Sequence, residues 1–332
     1  MKKRLAALIL ALGIAGVADA AAQDAPLTKV RIAYDGYSMT SAPMQFAAER
    51  GIFKKFGLDV TPTFVEGGSM LTHAIVGGSI DIAQNGYTPA AAAAVQGADI
   101  VFVGGIANTL PFQLVVKSSI TNAQQLKGQA IAISRYGSST DQAAEFALKH
   151  LGLARSDVKI LQLGGPATRI AAAMSGQIAG TMEQYPDTAE IASRGFHVLV
   201  DLTGLAGDYP NTSYVTSRAF LKKNPEVVKR FLMAISTAIH EFKKDPAAAV
   251  KLVQVFLGVK DEANAKAAYA AYLNVYPDVP RPSLAGIALV LKELAATEPK
   301  AKAARPEQFV DTAALDALER EGFFKKLFAS GS

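Results

Sequence analysis

The sequence predicts an α/β fold of two like lobes carrying a helical C-terminal extension. Three observations predict it. A strand–loop–helix pattern that begins at Arg31 recurs at Ala130. Strands and helices alternate from Lys29 to about Leu202, as chains that build largely parallel sheets do. After Ser217 the signals are almost all helical.

The first segment belongs to no lobe. Lys2-Lys3-Arg4 is a positive n-region, Leu5 to Val17 an apolar h-region, and Ala18-Asp19-Ala20 and Ala20-Ala21-Ala22 are small-residue cleavage sites. Residues 1–22 are therefore expected to be a secretory signal peptide. The apolar run is short for a membrane span, and no later stretch is long and apolar enough for one. The chain contains no cysteine, so its stability must come from its core and not from disulfides. The same absence removes thiolate chemistry and the thiol of a lipid anchor. The net charge of +5 includes three cations and one carboxylate of the leader. The balance that remains is too small to suggest nucleic acid.

In the first copy an apolar run, Val30 to Tyr34, leads into the polar loop Asp35 to Ser41. A helix then begins at Pro43, since proline is tolerated in the first turn. Gly51 suits its end, where the left-handed conformation favours glycine. Further strands are expected at Leu58 to Val65, Ile80 to Gln84 and Ile100 to Val103. Thr88-Pro89 starts another helix, stopped by Gly97. The second copy reads Ala130 to Ile133, the loop Ser134 to Thr140, a helix from Asp141, and Gly152. Strands follow at Lys159 to Leu163, Thr181 to Glu183 and His197 to Leu202, with Tyr185-Pro186 before a helix. Ser213 to Thr216 looks like a strand returning to the first lobe. Helices are then expected from Asn224-Pro225 to Lys244, from Asp245-Pro246 to Leu257, and over Asp261 to Val275, Ser283 to Ala296 and Thr312 to Glu321. This divides the chain into lobe one, 27–110 plus 215–332, and lobe two, 111–214. Two crossings would join them, near Asn108 to Phe112 and near Gly207 to Asn211.

In open α/β sheets ligands bind beyond the carboxyl ends of strands. Here those ends carry Asp35 to Ser41, Glu66-Gly67-Gly68-Ser69 and Asn85 to Thr88 in the first copy. The second has Ser134 to Thr140, Gly164 to Arg169 and Glu183-Gln184-Tyr185. Glycine lets backbone approach a ligand, Ser and Thr donate and accept hydrogen bonds, and helix N-termini attract anions. Each such Ser or Thr also serves as a helix cap, and each Gly-Gly also makes a turn. Their recurrence at equivalent positions is what points to binding. Arg135 and Arg169 are surface or interlobe pairing residues in the ordinary case; in the cleft they would suit a sulfonate or other small organic anion. Asp35, Glu66, Asp141 and Glu183 would instead take an ammonium group or the donor edge of a pyrimidine. Tyr37, Tyr87, Tyr136 and Tyr185 either pack or stack on a flat ring.

Catalytic patterns are weak. His73, His150, His197 and His240 lack metal-ligand spacing. Glu183 and Asp187 could form an acid/base pair, but loop carboxylates beside helix starts are commonly caps. No nucleophile elbow or P-loop occurs.

The segment "PMQFAAERGIFKKFGLDV", Pro43 to Val60, resembles the region near the mature N-terminus of periplasmic substrate-binding proteins of the nitrate/sulfonate/taurine ABC-transporter family. "GGSMLTHAIVGGSIDIAQNGYTPA", Gly67 to Ala90, is similar to that family's second signature. "NAQQLKG", Asn122 to Gly128, resembles its entry into lobe two, with Gln where the family has Asp. The resemblance implies a two-lobed periplasmic-binding-protein-like (type II) fold. It further implies a monomeric periplasmic receptor, without cofactor or enzymatic activity, that closes on a small molecule and delivers it to an inner-membrane permease. By position it assigns ligand contacts to Tyr37, Ser38 and Thr40, to Gly68 and Ser69, to Asn85, Tyr87 and Thr88, and to Ser138, Ser139, Thr168 and Glu183. Arg135 joins them as a candidate anion contact. The ligand first expected is a small organic anion. A pyrimidine or aromatic compound is the alternative, and an exported two-lobed enzyme the rival class. Relatives that make the thiamine pyrimidine use a Cys-rich motif, which this chain cannot contain.

Overall fold

The structure is a computed structural model that describes residues 26–205 and 208–329. The expected leader lies outside the described residues, and so does Gly207 of the second crossing.

Lobe one opens with β1 (Thr28–Lys29), β2 (Ile32–Tyr34), α1 (Ala42–Glu49), α2 (Ile52–Lys55), β3 (Leu58–Asp59) and β4 (Thr63–Phe64). It continues through α3 (Gly68–Val76), β5 (Ile82–Gly86), α4 (Tyr87–Gln96) and β6 (Val101–Ala107). The other sheet is built from β7 (Gln113–Lys117), β8 (Ala130–Ile133), α5 (Ser139–His150), β9 (Lys159–Gln162), α6 (Pro166–Met174), β10 (Gly180–Glu183), α7 (Asp187–Ala192) and β11 (Phe196–Asp201). The chain then returns through β12 (Thr212–Thr216). Its helical tail is α8 (Arg218–Lys223), α9 (Pro225–Lys244), α10 (Pro246–Leu257), α11 (Glu262–Tyr272), α12 (Leu284–Leu294), α13 (Ala313–Arg320) and α14 (Phe323–Ala329).

The strand order of the first sheet is β4-β2-β5-β12-β6, and that of the second, read from its other edge, is β9-β8-β10-β7-β11. The two orders match position for position, which is the sequence repeat made spatial. Alternation alone predicts mostly parallel sheets, and four of the five strands in each do run one way. The fourth position is reversed in both: β12 is antiparallel to β5 and β6, and β7 to β10 and β11. Each reversed strand directly follows a crossing, so the chain enters the receiving sheet from its opposite end. Sheet membership changes at Thr212, where β12 begins opposite Gly86. The expected strand Leu58 to Val65 is two strands. β3 pairs with β1, whereas β4 pairs with β2, and Pro62 lies between them, where its missing N–H breaks a ladder.

Apolar runs bury on both faces as inner strands require; Ile32, Ala33 and Tyr34 of β2 are all buried. Helix α9 holds the tail on lobe one. Val228, Phe231, Leu232, Ile235, Ala238, Ile239 and Phe242 recur at helical spacing and are all buried. Phe231 lies against Phe53 and Tyr214. The two crossings run side by side. Asn211 N–H donates to Ala107 O at 2.8 Å and Leu202 N–H to Phe112 O at 2.9 Å.

Candidate functional site

A cavity of ≈ 630 Å³ lies at the carboxyl ends of the strands of both sheets. The β2 loop contributes Asp35, Gly36, Tyr37, Ser38 and Thr40, and the β4 loop Glu66, Gly67 and Gly68. From the other sheet come Ser134, Ser138, Ser139 and Thr140 after β8, Gly165 to Arg169 after β9, and Glu183, Gln184 and Asp187 after β10. The two copies use one device. Ser38 Oγ and Thr40 Oγ1 are 2.8 Å apart, and so are Ser138 Oγ and Thr140 Oγ1. Ser138 also accepts the Asp141 N–H as the cap of α5. The N-termini of α3, α5 and α6 border the cavity, and their first-turn N–H groups have no intrahelical partner.

Of the residues expected from sequence, Tyr37, Ser38, Thr40, Gly68, Ser138, Ser139, Thr168 and Glu183 line the cavity. Five do not. Asn85 is fully buried behind Gly68, its Nδ2 donating to Thr72 Oγ1 at 2.8 Å. Tyr87 is buried and stacks on Phe102 with ring centroids 4.0 Å apart. Thr88 is buried on α4. The reason is register: β5 runs through Gly86, so the loop expected there is strand and helix. Ser69 instead donates to Tyr136 O at 3.4 Å across the two lobes. The Arg135 side chain lies over Gly67, its Cδ 3.2 Å from where a Cβ would stand. Ser139 sits so close to Gly86, and Glu66 to Gly164, that a methyl on either glycine would overlap them. The lobes thus touch at several points around the cavity.

Arg169 is not a free cation. It is buried, and its Nη2 meets Glu183 Oε2 at 2.7 Å. Its Nε lies 3.1 Å from Glu183 Oε1 and 3.2 Å from Thr181 Oγ1. Nη1 donates to Gly164 O at 2.6 Å and Nη2 to Met182 O at 3.2 Å. The other lining carboxylates are differently placed. Burial pushes the Asp35 carboxyl up to about 6, although the Gly86 N–H, donating to Oδ2 at 2.7 Å, pulls it down. Burial first, then the charges of Glu183 and Glu190, push Asp187 up to about 8, against the opposing pull of Arg169.

Sequence reasoning missed the apolar wall. Phe64, Phe112, Val255, Phe256 and Leu257 line the cavity, with Asn211 and Thr212 beside them. Tyr37 lies between Phe64 and Phe256, at 4.6 and 5.3 Å between ring centroids. A signal existed in α10. Ala249, Val250, Leu252 and Val253 make its buried face, whereas Val255 is 64% exposed. An apolar residue off the core face marks a second surface.

Two like α/β lobes, paired crossings and a cavity between facing loops define the class of two-lobed solute-binding proteins. A family profile described as NMT1/THI5 like matches residues 38–249, and the chain belongs to that family. It is 31% identical over 214 residues to the taurine-binding periplasmic protein of Escherichia coli K12, a match covering 63% of this chain and 66% of that protein. The shared stretch therefore falls just short of two thirds of that relative. It is 27% identical over 252 residues to the 4-amino-5-hydroxymethyl-2-methylpyrimidine phosphate synthase THI13 of Saccharomyces cerevisiae, covering 70% of this chain and 72% of the enzyme. A solved structure from Bordetella bronchiseptica RB50 superposes with a TM-score of 0.78 at 26% identity, over 89% of this chain and 98% of that one. The alkanesulfonate-binding protein SsuA of Xanthomonas axonopodis pv. citri, bound to MOPS, gives 0.71 at 22% identity, over 87% and 100%. The fold is that of periplasmic binding proteins.

Proposed function

We propose that the protein is a periplasmic solute-binding receptor that closes its two lobes on one small organic molecule and presents it to an ABC import permease. The observation that carries this reading is the cavity of ≈ 630 Å³ enclosed by equivalent loops of both lobes, a size typical of small-molecule sites. Two adjacent crossings are the geometry of a hinge. Closure would bring the Ser138–Thr140 and Ser38–Thr40 loops onto opposite sides of the solute. Neither lobe alone would then hold it.

The first ligand expectation, a small organic anion, matches the taurine and alkanesulfonate of the relatives' names. Its support in this chain is reduced to helix N-termini, because Arg169 is consumed by Glu183 and Arg135 lies outside the lining. The alternative, an aromatic compound, gains the Tyr37, Phe64 and Phe256 wall. An enzyme related to the yeast synthase is the rival class, and solute capture separates the two. Ligand-stripped protein incubated with a small-molecule cell extract should show one bound solute per chain by native mass spectrometry. On denaturation the solute should be released chemically unchanged. Failure to retain any solute, or release of an altered one, would count against a receptor.

A further inference from the structure

We propose that the cavity selects a flat organic cation, an aromatic ring bearing a protonated nitrogen. The ring would pack on the Tyr37–Phe64–Phe256 wall, and the nitrogen would be held by carboxylates of both lobes. This rests on the receptor reading above and deepens it.

The charges come first. Four carboxylates line the cavity, those of Asp35, Glu66, Glu183 and Asp187, against the single guanidinium of Arg169. That guanidinium is spent on Glu183, Thr181 and two carbonyls. Each helix N-terminus supplies roughly half a positive charge. The termini of α3, α5 and α6 nearly offset Asp35 and Glu66, and Asp187, protonated near neutral pH, adds a further negative charge once a cation or rising pH draws off its proton. An alkyl anion entering the cavity would find no unspent side-chain cation in its lining to pair with.

The unmet acceptors come second. Asp187 is half-buried, and among the described residues none donates a hydrogen bond to its carboxyl oxygens. At the second crossing Asn211 is 3% exposed and its Oδ1 has no partner. Its Nδ2 is taken by Thr212 Oγ1 at 3.0 Å. A buried acceptor without a donor, as Asn211 Oδ1 is, is rare in native proteins and calls for a donor from elsewhere. Both residues line the cavity, so a ligand that brings N–H groups would satisfy them.

The shape comes third. Tyr37 is 45% exposed and Phe64 37%, so one side of the cavity carries open aromatic surface, facing the short polar loops of the other. Aromatic faces also attract cations directly. A linear ammonium ion would leave this surface uncovered.

A proton signature follows. The groups facing Asp187 are Glu183 on β10, Arg169 on α6, Glu190 on its own helix and Tyr272 on α11. With its carboxyl pushed up to about 8, Asp187 holds a proton in the empty cavity at neutral pH. A cation would displace that proton, so cation affinity should rise with pH up to about pH 8 and then level.

Isothermal titration calorimetry of the ligand-stripped protein tests this with two flat probes, benzamidine and benzenesulfonate. Benzamidine should bind, at least about tenfold more tightly at pH 8.5 than at pH 6, and with proton release at pH 7. Benzenesulfonate should bind at least about tenfold more weakly than benzamidine. Asp187→Asn, which preserves shape and breaks no hydrogen bond, should lower benzamidine affinity about tenfold or more at pH 8.5 and abolish the proton release. Tighter binding of benzenesulfonate overturns the proposal while leaving a receptor in place. Unchanged benzamidine affinity in Asp187→Asn overturns it too. If neither probe binds, the flat-cation assignment fails, and solute capture from extract decides separately whether the receptor reading fails with it.

Discussion

Arg169→Met should destabilise the ligand-free protein severely, because Arg169 is part of the framework of lobe two. Its guanidinium and the Glu183 carboxylate are 4% and 0% exposed, with 2.7 Å between Nη2 and Oε2. Removing the cation strands a buried carboxylate that would keep only the Thr181 hydroxyl, and it frees the carbonyls of Gly164 and Met182. Breaking one partner of a buried pair costs about 3–5 kcal/mol. At about 2–4 °C per kcal/mol for a chain of this order, the melting temperature should fall by about 6–20 °C. The double substitution Arg169→Met with Glu183→Leu should recover part of that loss, since replacing a buried pair by apolar groups is often neutral. Differential scanning calorimetry of the ligand-stripped single and double variants reads this directly. If Arg169→Met melted within 2 °C of the parent, and lost only solute affinity, Arg169 would be a ligand contact. The charge argument for the cavity would then be wrong.

Other outcomes follow from the same geometry. Gly86→Ala should hold the lobes apart, because the new methyl overlaps Ser139 across the cleft; scattering should show a larger radius of gyration, and adding Ser139→Gly should restore closure. Thr168→Ala, in the cavity wall, should weaken solute binding by about 0.5–1.5 kcal/mol, roughly two- to twelve-fold, with little change in melting. Asn85→Ala should instead lower melting, since Asn85 is fully buried and bonded to Thr72; equal affinity losses in both variants would contradict that division. For Asp187 the folded carboxyl is raised from 3.8 to about 8, so the folded state holds a proton that the unfolded chain releases. Its stabilising contribution is full below about pH 4 and is lost as pH rises through about 8. Thermal melts of Asp187→Asn should therefore fall less steeply than the parent's between those limits.

The duplicated lobes were legible because the residues that end strands and start helices are chemically distinctive. Ser38 and Thr40 echo Ser138 and Thr140, and both pairs sit in the cavity wall. The β5 end was misread because Asn85, Gly86 and Tyr87 look like a turn. In the fold Asn85 is the inward residue of a strand paired with Ser213, and Tyr87 starts a helix facing Phe102. Such a choice depends on pairing with β12, more than a hundred residues later, and no local pattern records it. The aromatic wall was hidden for the same reason. Phe64 and Phe256 come from opposite ends of lobe one, and they meet around Tyr37 only when α10 packs beside β2. The use of Arg169 as framework was also invisible locally, because its partners Thr181 and Glu183 lie on a neighbouring strand.

The central claim is that two lobes close on one solute about paired crossings. Small-angle scattering of the ligand-stripped protein, repeated after saturation with the solute captured from extract, tests it most directly. The account predicts a smaller radius of gyration with ligand, and a saturated profile that fits the closed arrangement in which Ser69 meets Tyr136 and Ser139 meets Gly86. An identical profile with and without saturating solute would contradict it.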